Sequence, residues 1–465
     1  MFKLQQLHKV YGPVVRINPH EIHVDDASWV DKLYVGAAGG QRDKYPPAAR
    51  LAGTPEAVFG TVHHDIHRRR RTAISSLFSK AAVATSESII HRNTNLLLKN
   101  IEKQITQTGS AELRKTYLAL ATDNIIDYCF DESLNLLGSD ERATAWKKTI
   151  DAVACLNPVV RQFNWMIPLA MYLPLSLLEI LHPDMTRIVK LRRDMEVQAR
   201  STIKMYSDSE QGKKRSDGRQ NLYQAILSSN VLPPAEKTAY RMAQEGFVSV
   251  GAGAETTAMV LTAATFHILT NHDQILLPLK EELNGIMTNR DINASLKDLE
   301  RLPWLSAIIK ESLRITGLIS SRLPLISPKE PLQYRNWVIP PRTPVSMTLR
   351  DILLDPNVFD NPMEFRPERW LSGNPDLERI GHNWLPFGRG GRMCLGMHFA
   401  LAELYIVLAA VFGDKEFELH DTIRSRDIDA ARDCFVGEVS PDSLGVRIRY
   451  GEAQLMNGMR GAAMI

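Results

Sequence analysis

Cysteine is scarce in this chain. The four in 465 residues (Cys129, Cys155, Cys394 and Cys434) stand at no spacing typical of a disulfide framework or a metal cluster. That excludes a cross-linked secreted scaffold and fits reducing surroundings. Charge of one sign is lacking too: the net is +3, so no global field draws the chain to nucleic acid, and electrostatic docking must come from a local patch. Met1 to Lys9 is mixed and polar, without an apolar run of signal-peptide or spanning-helix length. No dinucleotide-binding glycine fingerprint is present either. What remains is ordinary globular material, 44% hydrophobic and 23% charged, ample for a core.

Against that background one stretch stands out: Phe387-Gly388-Arg389-Gly390-Gly391-Arg392-Met393-Cys394-Leu395-Gly396. It sets one cysteine in a glycine-rich loop, with an arginine two residues before it and an apolar, helix-like run after it. Glycine lets a backbone come close to a flat ligand and adopt positive φ without a Cβ clash. Loop N–H groups can hold a sulfur as its anion, and Phe387 can cover it from water, which is the setting a thiolate needs to ligate an iron. A buried structural cysteine in a turn is the bland alternative. The long spacing Phe-x-x-Gly-x-Arg-x-Cys-x-Gly weighs against it.

On that stretch the chain resembles the haem-thiolate cytochromes P-450. The resemblance implies that Cys394 is the axial ligand of a haem iron, whose thiolate donates electron density and favours O–O cleavage. It makes Phe387 and Arg392 cofactor contacts. Further motifs agree. Gly251-Ala252-Gly253-Ala254-Glu255-Thr256-Thr257 lies at the centre of a long helix expected from Pro233-Pro234 to about Thr270. Small residues there let a flat ligand and O2 lie against the backbone, and a mid-helix Thr competes for carbonyls. By resemblance Ala252 and Gly253 border the haem, and Glu255 with Thr256 delivers protons to bound oxygen. Glu311-x-x-Arg314 sits on an amphipathic helix, its members neighbours at i, i+3. In the family this pair is buried and joined by a later arginine, here Arg369.

In His63-His64-Asp65-Ile66-His67-Arg68-Arg69-Arg70-Arg71, His67 and Arg71 share a helix face. The resemblance sends both to haem propionates, although Trp is the commoner residue at the first position. Arg322 matches a propionate-contacting arginine, and Leu325 stands where related fungal enzymes often carry a second one. Val14–Asn18 and Glu21–Val24 alternate as a β-hairpin. Gln41 to Phe59 reads as a long loop, Asp208 to Arg219 as an exposed charged loop, and Met397 to Phe412 as an apolar helix backing the haem. Asp433 to Val446 reads as a terminal hairpin with Phe435 near its tip. Asn164 to Pro183 is rich in Trp, Tyr, Met and Leu but broken by prolines. It is too broken to span a bilayer, and core, pocket wall and interfacial patch all remain open.

The expectation is therefore a mainly α fold with a minor β region, a single haem domain over residues 1–465, with a tail from 451 of no assigned role. The implied reaction is monooxygenation of a small apolar substrate by O2 on haem b. Its electrons come from NADPH through a separate cytochrome P-450 reductase, which an exposed basic face at Arg68, Arg69 and Arg389 is expected to dock. The stretch from Tyr11-Gly12-Pro13 to the basic run looks most like fungal enzymes of secondary metabolism, such as the trichodiene oxygenase group. Two rivals share the cofactor: a haem-thiolate isomerase or dehydratase, which the Glu255-Thr256 pair disfavours, and a non-catalytic haem-binding sensor. A helical scaffold without cofactor is the third. The expected place is the cytosolic face of the endoplasmic reticulum membrane if an anchor precedes this chain, with peripheral membrane contact, and otherwise the cytoplasm. No nucleic-acid partner is expected.

Overall fold

The computed structural model describes residues 2–451 apart from 37–38, 51–52, 131–132, 164, 209–217, 287–293 and 414. Most of the expected charged loop, and the tail from 452, lie outside the described residues. Helices dominate. Those that carry the site are α1 (His64–Ser75), α2 (Leu113–Cys129), α3 (Asp140–Gln162), α4 (Ala239–Thr270), α5 (Pro303–Thr316) and α6 (Met397–Gly413).

The long α4 is the central member. Thr238 caps it by accepting from the Arg241 N–H, and a separate 3-10 turn at Pro234–Glu236 precedes it. The helix therefore starts later than the prolines suggest. Part of it is apolar enough to cross a bilayer, yet most of that part is buried in the protein. Val250, Ala254, Ala258, Val260 and Leu261 join a core shared with α2, α5 and α6. Burial at about 25 cal/mol per Å2 of apolar surface is what holds these layers together.

A mixed sheet flanks the helices. The hairpin β1 (Val14–Asn18) and β2 (Glu21–Val24) forms as the alternation predicts. Strands β3 (Asp43–Lys44), β4 (Leu325–Ile326) and β5 (Pro344–Ser346) complete the order β1-β2-β5-β4-β3. Lys44 stands directly across from Leu325. The stretch expected to be a long loop thus contains β3 and a helical turn at Pro46–Ala49. The terminal hairpin is also shorter than expected. It consists of β6 (Arg432–Cys434) and β7 (Val436–Glu438), while Val446 leads into another strand, Arg447–Tyr450. Phe435 makes the turn at φ 86°, unusual for a bulky residue. Its carbonyl accepts from the Ser320 and Ser321 N–H groups (3.1 and 3.3 Å), which pins the turn in place.

The proline-broken segment divides its residues between inside and outside. Ile167, Ala170 and Leu178 enter a small core of their own. Trp165, Leu169, Tyr172, Leu177, Ile180 and Leu181 are exposed on the helices Met166–Tyr172 and Leu175–Leu181 and beside them.

Candidate functional site

The Cys394 loop is held by backbone bonds at both ends. The Cys394 N–H donates to the Phe387 carbonyl at 2.8 Å, and the Gly391 N–H to the Val35 carbonyl at 3.0 Å. Gly390 has φ +75°, and a Cβ there would lie 2.4 Å from the Val35 carbonyl oxygen, so no other residue fits. The thiol is enclosed by protein deeply enough that burial pushes it up, opposed by the Gly396 N–H and the Arg71 charge. Its surface is nonetheless uncovered, because the remaining side borders open space. Ala252 repeats this pattern on α4: it is exposed, although Val250 and Ala254 beside it are buried. An uncovered spot on the cysteine loop and another on the mostly buried α4 are what the two faces of a flat group require.

Three cationic side chains and a histidine gather beside the loop. His67 is buried on α1; burial first, then Arg392, Arg71 and Lys44, push its imidazole down to about 2, so it is neutral. Arg71 Nη1 donates to the Met393 carbonyl at 2.8 Å, tying α1 to the loop. Arg392 donates from Nη1 and Nη2 to the Thr61 and Val62 carbonyls (2.8 and 2.7 Å), while its buried Nε has no partner among the described residues. Burial lowers Arg392 to about 10, and burial with the Arg392 charge lowers Lys44 to about 7. Among the described residues no carboxylate pairs with Lys44, His67, Arg71 or Arg392. Buried charge is costly unless paired. A basic group without a directly paired acid, carrying an orphaned donor beside an uncovered thiol, fits a flat cofactor with anionic edges such as haem.

Not every expected contact joins this group. Arg322 is engaged elsewhere: Nε and Nη2 donate to the two Glu21 carboxylate oxygens at 2.7 and 3.3 Å. Lys44, opposite Leu325 in the sheet, is close enough for its charge to act on His67 and for the Arg392 charge to act on it. Lys44 went unnoticed in the sequence because it sits in a stretch that reads as loop. Gly253 also differs from expectation. A Cβ on it would meet the Ile125 side chain at 2.8 Å, so the glycine serves the close packing of α4 on α2.

Glu255 and Thr256 turn to different sides, as consecutive helix positions must. Thr256 is partly uncovered, and its Oγ1 donates to the Ala252 carbonyl at 2.7 Å, the local competition expected of a mid-helix Thr. Glu255 is buried and ion-paired with Arg114 Nη2, which also donates to both Glu438 carboxylate oxygens at 3.1 Å. Burial raises the Glu255 carboxyl, opposed by Arg114. Burial alone would lower Arg114; the two carboxylates outweigh it and hold it above its ordinary range. Neither Arg114 nor Glu438 carries a local motif, and only the packing of α2, α4 and β7 brings them to Glu255.

A closed charged group centres on Glu311. Glu311 Oε1 accepts from Arg314 Nη2 (2.8 Å), Arg369 Nε (3.1 Å) and the Arg366 N–H (2.9 Å). Its Oε2 accepts from Arg314 Nε (2.8 Å) and Trp370 Nε1 (2.9 Å). The remaining guanidinium donors reach the Leu353, Glu364 and Asp360 carbonyls. A further buried acid, Glu403 on α6, accepts from Asn124 Nδ2 (2.9 Å) and Thr257 Oγ1 (3.3 Å), with no paired cation among the described residues; burial raises it to about 8. Of the basic run, Arg70 is buried against Glu236, Arg68 and Arg69 are exposed, and Arg389 pairs with Asp31.

Comparison with known proteins agrees with this geometry. The family model for Cytochrome P450 matches residues 1–437. A tryptophan 6-hydroxylase of Fusarium equiseti is 39% identical over 96% of this chain and 86% of its own length. An N-acetyltryptophan 6-hydroxylase of Emericella nidulans is 36% identical, over 93% of this chain and 83% of its own. A cytochrome P450 monooxygenase of Sordaria araneosa is 33% identical, over 96% and 87%.

Proposed function

This chain belongs to the cytochrome P450 family and is a haem-thiolate monooxygenase of the fungal secondary-metabolism type, and we propose that it hydroxylates an indole amino acid or a close derivative. The family implies haem and a redox partner. The observation that carries the site assignment is the uncovered Cys394 thiol beside a basic group without a directly paired acid. The substrate class rests on two relatives named for hydroxylating tryptophan and N-acetyltryptophan.

In this reading the cofactor is haem b, whose thiolate-ligated iron supplies the activation of O2. Overall, a C–H bond and O2, with two electrons and two protons, become C–OH and water. Cys394 would be the thiolate ligand, with the Arg71 charge favouring its anionic form while Arg71 braces the loop. Lys44, Arg71 and Arg392 would balance the charge of the propionates, and neutral His67 would supply a hydrogen-bond donor beside them. Ala252 leaves room for the ring face, and Phe387 shields the sulfur side. Thr256 holds a proton at Oγ1 on the uncovered side of α4, and Glu255 passes protons inward when it leaves Arg114. Glu311, Arg314 and Arg369 fix the scaffold. Electrons come from NADPH through a separate reductase docked near the exposed Arg68 and Arg69. The exposed Trp165, Leu169, Tyr172, Ile180 and Leu181 support contact with the cytosolic face of the endoplasmic reticulum.

The test is turnover of tryptophan, N-acetyltryptophan, and terpenoid and polyketide candidates by the haem-loaded protein with reductase and NADPH under labelled O2. The expected product is an indole carrying one labelled oxygen. Labelled product from a terpenoid or polyketide and none from either indole would overturn the substrate class.

A further inference from the structure

A polar hollow lies where the end of α3 meets the terminal hairpin, lined by Arg161, Ser320, Ser321, Arg322, Asp433 and Phe435 among others. Its charged groups are unevenly satisfied. Arg322 is held by Glu21. Asp433 Oδ1 accepts from the Ser320 hydroxyl at 2.7 Å and the Ser321 hydroxyl at 3.3 Å. Arg161 alone of these three has no hydrogen bond or ion pair among the described residues. It is half-buried; burial and the Arg322 charge act against its protonated form, while the Glu21 and Asp433 charges favour it without pairing with it directly. A cation suits the last turn of a helix. That preference is met equally by an arginine turned to water, so it does not account for one lining a hollow.

The hollow is also close to the site. The Phe435 ring at its wall meets the Phe59 ring edge-on, with centroids 5.9 Å apart. The face of Phe59 carries Lys44 Nζ at 3.6 Å. Two ring contacts thus lead from the hollow to the basic group beside Cys394. A molecule with an aromatic body and one charged end can have that end at Arg161 and its ring against Phe435.

We infer that Arg161 binds the carboxylate of the substrate, and that the substrate class is an apolar or aromatic body bearing a carboxylate. The inference rests on the monooxygenase reading and narrows the substrate class proposed above. Arginine suits the task because its planar donors match a carboxylate in a two-point contact, which an uncharged amide cannot reproduce. Binding a carboxylate also supplies the partner that Arg161 lacks.

Acid and primary-amide pairs test this on the haem-loaded protein. The pairs are tryptophan with tryptophanamide, indole-3-propionic acid with its amide, and decanoic acid with decanamide. Affinity is read from the ligand-induced change in haem absorption and from calorimetry. The acid should bind about tenfold or more tightly than its amide in each framework that binds. Arg161→Gln should abolish that preference, leave amide affinity and haem content unchanged, and Arg161→Lys should restore part of it. Equal binding of acids and amides, a preference that survives Arg161→Gln, or no acid bound in any framework would overturn the inference. Binding of decanoic acid with the predicted preference, but of neither indole acid, would uphold Arg161 and overturn the indole reading.

Discussion

Two groups of arginines withdrawn from water, one around Glu311 and one beside the Cys394 loop, are built in opposite ways. In the first, Arg314 and Arg369 close on Glu311, and backbone carbonyls and Trp370 complete the network. Beside the loop, Arg71, Arg392 and Lys44 face neutral His67 and no paired acid, and Arg392 Nε has no partner among the described residues. A buried charge that is fully answered within the chain holds a fold together. One left unanswered raises the energy of the empty protein and becomes favourable only when a ligand brings the opposite charge. The first group therefore reads as scaffold and the second as a binding site.

The largest effect should come from opening the closed group. Glu311→Ala leaves Arg314 and Arg369 buried without an acid, a loss of about 3–5 kcal/mol. Denaturant unfolding should show it, with little haem-loaded protein recovered. A normally stable variant would mean that the group is not scaffold. The next effect should separate cofactor binding from stability. Arg392→Leu should change the stability of the haem-free protein by about 1 kcal/mol or less, since it removes two hydrogen bonds but also a repulsive, orphaned cation. It should speed haem loss to a scavenger by about tenfold. If instead the haem-free protein is badly destabilised and haem retention is unaltered, the contrast between the two groups fails.

A smaller, pH-dependent effect extends the comparison to an acid with no paired cation among the described residues. The Glu403 carboxyl is raised by burial from 4.5 to about 8. A raised carboxyl holds its proton more tightly in the folded state, so its contribution to stability is complete below about pH 4.5 and is lost as pH rises toward 8. Wild type should therefore lose a few kcal/mol relative to Glu403→Gln between pH 5 and 8. Parallel stability curves for the two proteins would show that Glu403 does not titrate in this range.

What could be read from the sequence follows the same division. Cys394, Glu311-x-x-Arg314 and the Ala252–Thr257 centre were legible because local spacing carries their chemistry, and the helices around them because apolar positions repeat every turn. Arg369 was reached only through resemblance. Lys44 was hidden because it acts across a two-residue strand, opposite Leu325, a partner distant in the chain. Arg322 is expected from resemblance to contact the cofactor, and the fold also pairs it with Glu21, a partner no local pattern announces. The Arg114 link between Glu255 and Glu438 joins three elements far apart in sequence, and no local pattern announces such a contact. Whether Trp165 to Leu181 was core or surface depended on which side of two short helices met the protein, and both answers hold for different residues.

The central claim is that Cys394, uncovered beside a basic group without a directly paired acid, ligates haem iron as a thiolate. The most direct measurement is the absorption spectrum of the reduced, carbon monoxide-treated protein beside that of Cys394→Ala. The account predicts the long-wavelength band typical of thiolate-ligated haem in the wild type and its loss in the variant, with the other three cysteines unable to restore it. The same band in Cys394→Ala would contradict the assignment.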